Sequence, residues 1–221
     1  DEMASGGGAL SLETHWRLAL KAFQTTAGYD RAISARLAAV NQPEAALPPV
    51  LDVRAPKLAD LRYGENPHQP AALYGTRGEG IAGAEQLHGK ELSYNNLVDL
   101  EAAWQLVREF DAPASAIIKH TNPCGCAEQS SLAEGYRQAF ACDPASAFGG
   151  VLGFNRPVDK ETAQEIAKTF TEAIIAPDYA PEALEILRAK KNLRLLRIAN
   201  GEPGLVVKSI TGGFLVQGRD N

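Results

Sequence analysis

The densest run of chemistry-bearing residues is Lys119-His120-Thr121-Asn122-Pro123-Cys124-Gly125-Cys126. A lysine beside a histidine supplies a fixed cation and a group that titrates near neutrality. The run follows the apolar stretch Ala114-Ser115-Ala116-Ile117-Ile118. The end of a buried strand is where open α/β sheets carry their sites. Asn122-Pro123 and Gly125 read as a turn holding the pair at the strand mouth. A plain polar turn with a solvated lysine would explain any lone Lys-His pair. A second cluster, Arg62-Tyr63-Gly64-Glu65-Asn66-Pro67-His68-Gln69, offers a guanidinium fork suited to phosphate. A third, Asp143-Pro144-Ala145-Ser146-Ala147-Phe148-Gly149-Gly150, has paired glycines that allow a ligand close to the backbone. Taken alone, these two are also explained by ordinary turns. His120, Cys124, Cys126 and Cys142 invite a zinc reading, and with it a deaminase-like hydrolase. Cys-x-Cys is not the usual knuckle spacing, and zinc deaminases carry His-x-Glu where this chain has Asn122. The cysteines therefore read as buried thiols, with no metal required.

The elements that must position these groups alternate. Ser11 to Val40 is helical in period, with Gly28 a candidate break between two helices. Asn41 to Asp60 contains Pro43, Pro48, Pro49 and Pro56 and reads as an extended linker. Beyond it, helices are expected over 96–110, 131–142, 159–170 and 181–190. Asn96, Ser131 and Asp159 are their caps, and Pro181 sits in a first turn. Short strands are expected at 72–74, 114–118, 150–154, 173–176, 193–198, 205–210 and 213–216. Helices interleaved with short buried strands imply an α/β layered fold.

Composition sets the class. Of 221 residues, 45% are hydrophobic and 22% charged, which excludes a disordered chain and leaves room for a core. A formal charge of −5 argues against a nucleic-acid partner, and any anionic ligand must be drawn by a local cationic cluster. No apolar run approaches a membrane span of about 18 residues. Three cysteines without a secretory signal suggest reduced thiols in the cytoplasm. The chain opens on Asp1 and stops at Asn221 just after a strand-like run, so both ends read as internal to a longer chain.

In their order, the three clusters closely resemble the bifunctional purine biosynthesis protein family. That family joins an IMP cyclohydrolase domain to a phosphoribosylaminoimidazolecarboxamide (AICAR) formyltransferase domain. Leu92-Ser93-Tyr94-Asn95-Asn96-Leu97, Ile174-Ile175-Ala176-Pro177 and Gly212-Gly213-Phe214-Leu215-Val216-Gln217 extend the resemblance. It implies that residues 1–40 are the helical end of the cyclohydrolase domain, 41–60 a linker, and 61–221 the first half of the formyltransferase domain. The implied fold is a cytidine-deaminase-like α/β unit without zinc. The implied reaction transfers a formyl group from 10-formyltetrahydrofolate to the 5-amino group of AICAR, with His120 as proton acceptor and Lys119 as the adjacent cation. Arg62, Tyr63, Phe148, Gly149, Glu172, Asn95 and Asn96 are the implied ribotide contacts. A homodimer is implied too, with the folate side built from the second half and across the dimer interface. The chain by itself is then expected to be incomplete. A non-catalytic, dimerising module is the other alternative.

Overall fold

The computed structural model describes residues 2–41, 47–199 and 204–218. The chain divides into two compact units, residues 1–52 and 53–221.

The first unit is a short helix, α1 (Glu2–Ser5), followed by α2 (Leu12–Asn41). The Glu2 carboxylate accepts from Ser11 N–H at 2.8 Å and Thr14 Oγ1 at 2.6 Å. Hydrogen bonding from the Ser11 side chain, then from Thr14 and the Ser11 N–H, holds its pKa down to about 2 and fastens the start of α2. The helix runs unbroken through Gly28, correcting the expected two-helix reading. One interior glycine costs only about 1 kcal/mol relative to alanine, too little to end a helix with no proline in it. Trp16, Leu20 and Phe23 recur along α2 and are all exposed.

The second unit contains β1 (Lys57–Leu61), β2 (Ala71–Tyr74), β3 (Glu85–His88), α3 (Tyr94–Arg108), β4 (Ala114–Lys119) and β5 (Asn122–Glu128). Then follow α4 (Leu132–Cys142), α5 (Pro144–Ala147), β6 (Val151–Phe154), α6 (Lys160–Ala167), β7 (Ala173–Ala176), α7 (Pro181–Arg188), β8 (Arg194–Arg197), β9 (Val206–Ile210) and β10 (Gly213–Gln217). Six strands make one sheet in the order β3-β8-β7-β6-β4-β5. Only the β8-β7-β6 core is parallel; β3, β4 and β5 pair antiparallel with their neighbours. The pairs β1-β2 and β9-β10 are separate antiparallel ribbons. This is a mixed α/β unit, as the alternation implied.

Side chains alternate across the strands. Ile117, Leu152, Phe154, Ile174 and Leu195 face α4, α6 and α7. Ala116, Ile118, Val151, Ile175 and Leu196 face α3. Burial of each large aliphatic side chain contributes about 1.5–3 kcal/mol. The helix α3 offers Leu100, Ala103, Trp104 and Val107 on one stripe, all buried. It lies close to the sheet because Gly153 has no side chain: a Cβ there would sit 2.6 Å from the Ala103 carbonyl oxygen. Buried Asn155 ties the loop before β4 to the end of β6, accepting from Ala114 N–H and donating to the Phe110 and Ala112 carbonyls.

Several expected elements shift. Ser93, not Asn96, caps α3, and the Asn96 side chain reaches back to Ser93 N–H in a closed capping box. Ser131 and Asp159 cap α4 and α6 as expected, but α6 stops at Ala167, short of Phe170. β1 begins inside the proline-rich stretch, while β3 and β5 had no counterpart among the expected strands. β3 is a short polar edge strand. β5 carries Pro123 and Gly125, which strands tolerate at an edge or bulge, and its register shifts opposite Ile117/Ile118.

Candidate active site

The topology brings one end of five strands to a common edge. β4 is antiparallel to β6, so Lys119 at its end lies beside Gly149 and Gly150 at the start of β6. β7 and β8 run parallel to β6, which puts Glu172 and Arg194 at their starts on the same edge. β3 is antiparallel to β8, so its end, followed by Gly89-Lys90-Glu91, arrives there as well. The ladder continues past the strands: Glu172 N–H donates to Gly150 O at 3.0 Å, and Arg194 N–H to Glu172 O at 3.2 Å. The rule that sites sit at the ends of parallel strands therefore does not describe this edge: β3 and β4 end here while β6, β7 and β8 begin.

The expected turn at Asn122-Pro123 is not there. The turn is His120-Thr121, closed by Lys119 pairing with Asn122. Both residues are left-handed, with φ of 54° and 62°, and among the described residues no other non-glycine residue has positive φ. A β-branched residue such as Thr121 rarely adopts this region, and each such residue costs about 1–2 kcal/mol. His120 is exposed. Thr121 Oγ1 and Asn122 Nδ2 both donate to the His120 carbonyl, at 2.7 and 2.8 Å. Thr121 N–H donates to Asp99 Oδ1 of α3 at 2.8 Å.

Lys119 Nζ donates to the Phe148 carbonyl at 3.0 Å, which aims the ammonium along the edge and leaves it two further N–H donors. Phe148 stacks obliquely on Phe170 at 5.4 Å between centroids. Gly149 is left-handed at φ 74° and donates to the Phe170 carbonyl. Asp143 caps α5; bonds from Ser146 hold its carboxyl below the usual carboxylate range, helped by the Lys119 charge.

Beside this row lies a cleft of about 550 Å³. It gathers four expected residues: Arg62, Tyr63, Asn96 and Glu172. Arg62 stacks over the Tyr63 ring at 5.4 Å. Lys119, His120, Phe148 and Gly149 lie along the same sheet edge but outside the lining of the cleft, and Asn95 is exposed on the first turn of α3. Sequence reasoning missed Lys90, Ser93 and Arg194, which also line the cleft. Arg194 Nη1 donates to Glu172 Oε2 at 2.8 Å and its Nε to the Glu91 carbonyl at 3.0 Å. Arg62 and Lys90 are thus the cleft's cations without a carboxylate partner among the described residues.

The cysteines are not the buried thiols expected: Cys124 and Cys126 are half-buried and Cys142 is exposed, at the end of α4. Burial pushes the Cys124 thiol up, reinforced by the Asp143 charge, and burial likewise raises Cys126. Among the described residues, no group of three or more His, Cys, Asp or Glu side chains is arranged to hold a metal ion. No described helix is long and apolar enough to cross a membrane.

The family model for the AICARFT/IMPCHase bienzyme matches residues 1–221. The chain belongs to that family. It is 53% identical over 230 residues to the bifunctional purine biosynthesis protein PurH of Parvibaculum lavamentivorans, an alignment covering all of this chain and 42% of that protein. PurH of Cyanothece sp. is 52% identical over 224 residues, covering 99% of this chain and 44% of the relative. PurH of Rhodospirillum rubrum is 52% identical over 227 residues, covering all of this chain and 43% of the relative. The chain therefore spans under half the length of these relatives.

Proposed function

We propose that this chain is the ribotide-facing part of a formyltransferase site, within a longer bifunctional purine-biosynthesis protein whose second activity closes the ring to IMP. On this reading residues 1–40 end the cyclohydrolase domain, 41–60 link, and 61–221 begin the formyltransferase domain as a cytidine-deaminase-like unit without zinc. The observation that carries the reading is Lys119 beside the strained His120-Thr121 turn, on the same sheet edge as a cleft whose Arg62 and Lys90 have no carboxylate partner among the described residues.

AICAR and 10-formyltetrahydrofolate are the substrates. The AICAR amine is a weak nucleophile because its lone pair is delocalised into the imidazole and the carboxamide. As its nitrogen bonds to the formyl carbon, its proton passes to His120. The tetrahedral adduct then breaks its bond to N10 of the folate, which takes the proton from His120 as tetrahydrofolate leaves and returns His120 to its neutral form. Lys119 offsets the negative charge on the adduct's oxygen. Arg62 and Lys90 hold the ribotide phosphate, and Glu172, fixed by Arg194, contacts the ribotide alongside Tyr63, Asn95, Asn96, Phe148 and Gly149. The folate side is assigned to segments outside this chain and to a second copy in a homodimer.

The test is His120→Ala in the full-length protein. Formyl transfer falls by about 10²–10⁴-fold, the usual worth of a general base, while AICAR binding measured by calorimetry changes little. Near-normal turnover in that variant rejects His120 as the proton acceptor.

A further inference from the structure

We propose that Asp99 is a positioning residue for this reaction. Its carboxylate, by accepting the Thr121 N–H, holds the His120-Thr121 turn in the conformation that presents His120. The inference rests on His120 being the proton acceptor.

A two-residue hairpin with both residues at positive φ is normally built from Asn-Gly or Asp-Gly. Here it is His-Thr, and both residues are left-handed. Local chemistry therefore does not select this turn; something outside must. In such a hairpin the strand ladder closes at the flanking residues, here Lys119 and Asn122, and leaves the amides of the turn without a ladder partner. The bonds from Thr121 Oγ1 and Asn122 Nδ2 to the His120 carbonyl stay within the turn. The bond from Thr121 N–H to Asp99 Oδ1, 2.8 Å, is the one that reaches another element. An ionised acceptor makes it roughly twice as strong as a neutral bond.

Asp99 is well founded for this work. It lies on α3 next to fully buried Leu100, and α3 is seated on the sheet at Ala103 and Gly153. The first turn of the same helix supplies Asn96 to the cleft, and its cap Ser93 does so too. One rigid element thus sets both the cleft wall and the turn that bears His120.

The experiment compares Asp99→Ala, Asp99→Asn, Thr121→Gly and Asp99→Ala/Thr121→Gly in the full-length protein, with His120→Ala as reference. Asp99→Ala lowers kcat by about 10²-fold, the scale of a misplacement near 1 Å, with KM for AICAR little changed. Asp99→Asn keeps an acceptor oxygen and most of kcat. Glycine adopts positive φ without strain, so Thr121→Gly on the Asp99→Ala background recovers much of the loss. Amide exchange at Thr121 supplies a readout besides activity: about tenfold faster in Asp99→Ala and near normal in Asp99→Asn. Asp99→Ala turnover within twofold of wild type, with His120→Ala inactive, overturns the positioning role. An equal loss in Asp99→Ala and Asp99→Asn overturns it as well and points to the charge. If His120→Ala stays active, the parent reading fails. The exchange data then decide separately whether Asp99 holds the turn: unchanged exchange at Thr121 in Asp99→Ala overturns that role whatever the kinetics.

Discussion

Arg194 is bound on two sides, to the Glu172 carboxylate and to the Glu91 carbonyl, with its side chain only 13% exposed while that of Glu172 is 40% exposed. The half-open carboxylate owes its direction to the more buried guanidinium. Replacing Arg194 with Met leaves Glu172 free to turn into solvent and unties the Lys90–Ser93 segment. In the full-length protein KM for AICAR then rises about ten- to a hundredfold, the equivalent of a charged hydrogen bond of about 1.5–3 kcal/mol. The chemical step is spared, so kcat stays within a few-fold; steady-state kinetics with saturating folate separate the two. A kcat loss larger than the KM change would count against a binding role for Glu172. Residues that cluster in sequence were legible: Lys119-His120, Arg62-Tyr63 and Phe148-Gly149 each lie in a run of special residues. Arg194 was not: it falls in the expected strand 193–198, but a lone arginine just after Lys190-Lys191 reads as one more solvated charge. Its role arises from strand pairing to β7, which composition does not reveal. Asp99 is hidden similarly, since the turn it holds is 22 residues away.

Helix-to-helix ties are the chief electrostatic feature among the elements. Arg137 of α4 reaches Glu134 on its own helix at 2.8 Å and Glu161 and Glu165 of α6, each at 3.3 Å, while Lys168 also holds Glu165. Hydrogen bonds from Gln138 and Arg137 lower the Glu134 pKa, and those from Lys168, with Arg137, lower that of Glu165. A carboxylate with a lower pKa folded than unfolded stabilises the protein above its ordinary pKa of about 4.5. That contribution disappears as pH falls through the folded value. Arg137→Gln is therefore less stable than wild type at pH 7, by a small amount given the exposure of the pairs. The two converge as the pH falls below the ordinary carboxylate range. Urea denaturation across that range checks it, and a gap that widens in acid would contradict the sign. Caps made the helices readable: Ser131, Asp159 and Pro181 marked starts that hold. The edge strands were not readable, because β3 and β5 lack the apolar run or alternation that identifies a strand and exist through pairing with distant partners.

Over the whole molecule, alternation of helices and short apolar strands was enough to imply layers, yet not the strand order, which depends on which distant segments pair. Among the described residues β9-β10 belongs to no larger sheet, and a lone two-stranded ribbon is marginal in water. Its Phe214 and Leu215 are 63% and 57% exposed. The 221-residue chain on its own is expected to self-associate through this ribbon, and Phe214→Ser with Leu215→Ser to reduce the association in sedimentation runs. It is also expected to show no formyl transfer with both substrates saturating, since holding two reactants in register accounts for about 7–11 kcal/mol of barrier lowering and the folate side is assigned elsewhere. Turnover within about tenfold of the full-length protein would place the complete site here. The pairing of β3 with β8 has a consequence in time. Glu85 and its partner Arg197 are more than a hundred residues apart, and that pairing, with the Arg194 bond to Glu91, brings the Lys90 and Arg194 sides of the cleft together. At a synthesis rate of about 5–20 residues per second, the early side waits roughly 5–20 s for the late one. The nascent chain therefore exposes Arg62 and Lys90 before there is a cleft to hold them, so on the proposed function no ribotide is captured there until residue 197 has cleared the exit tunnel.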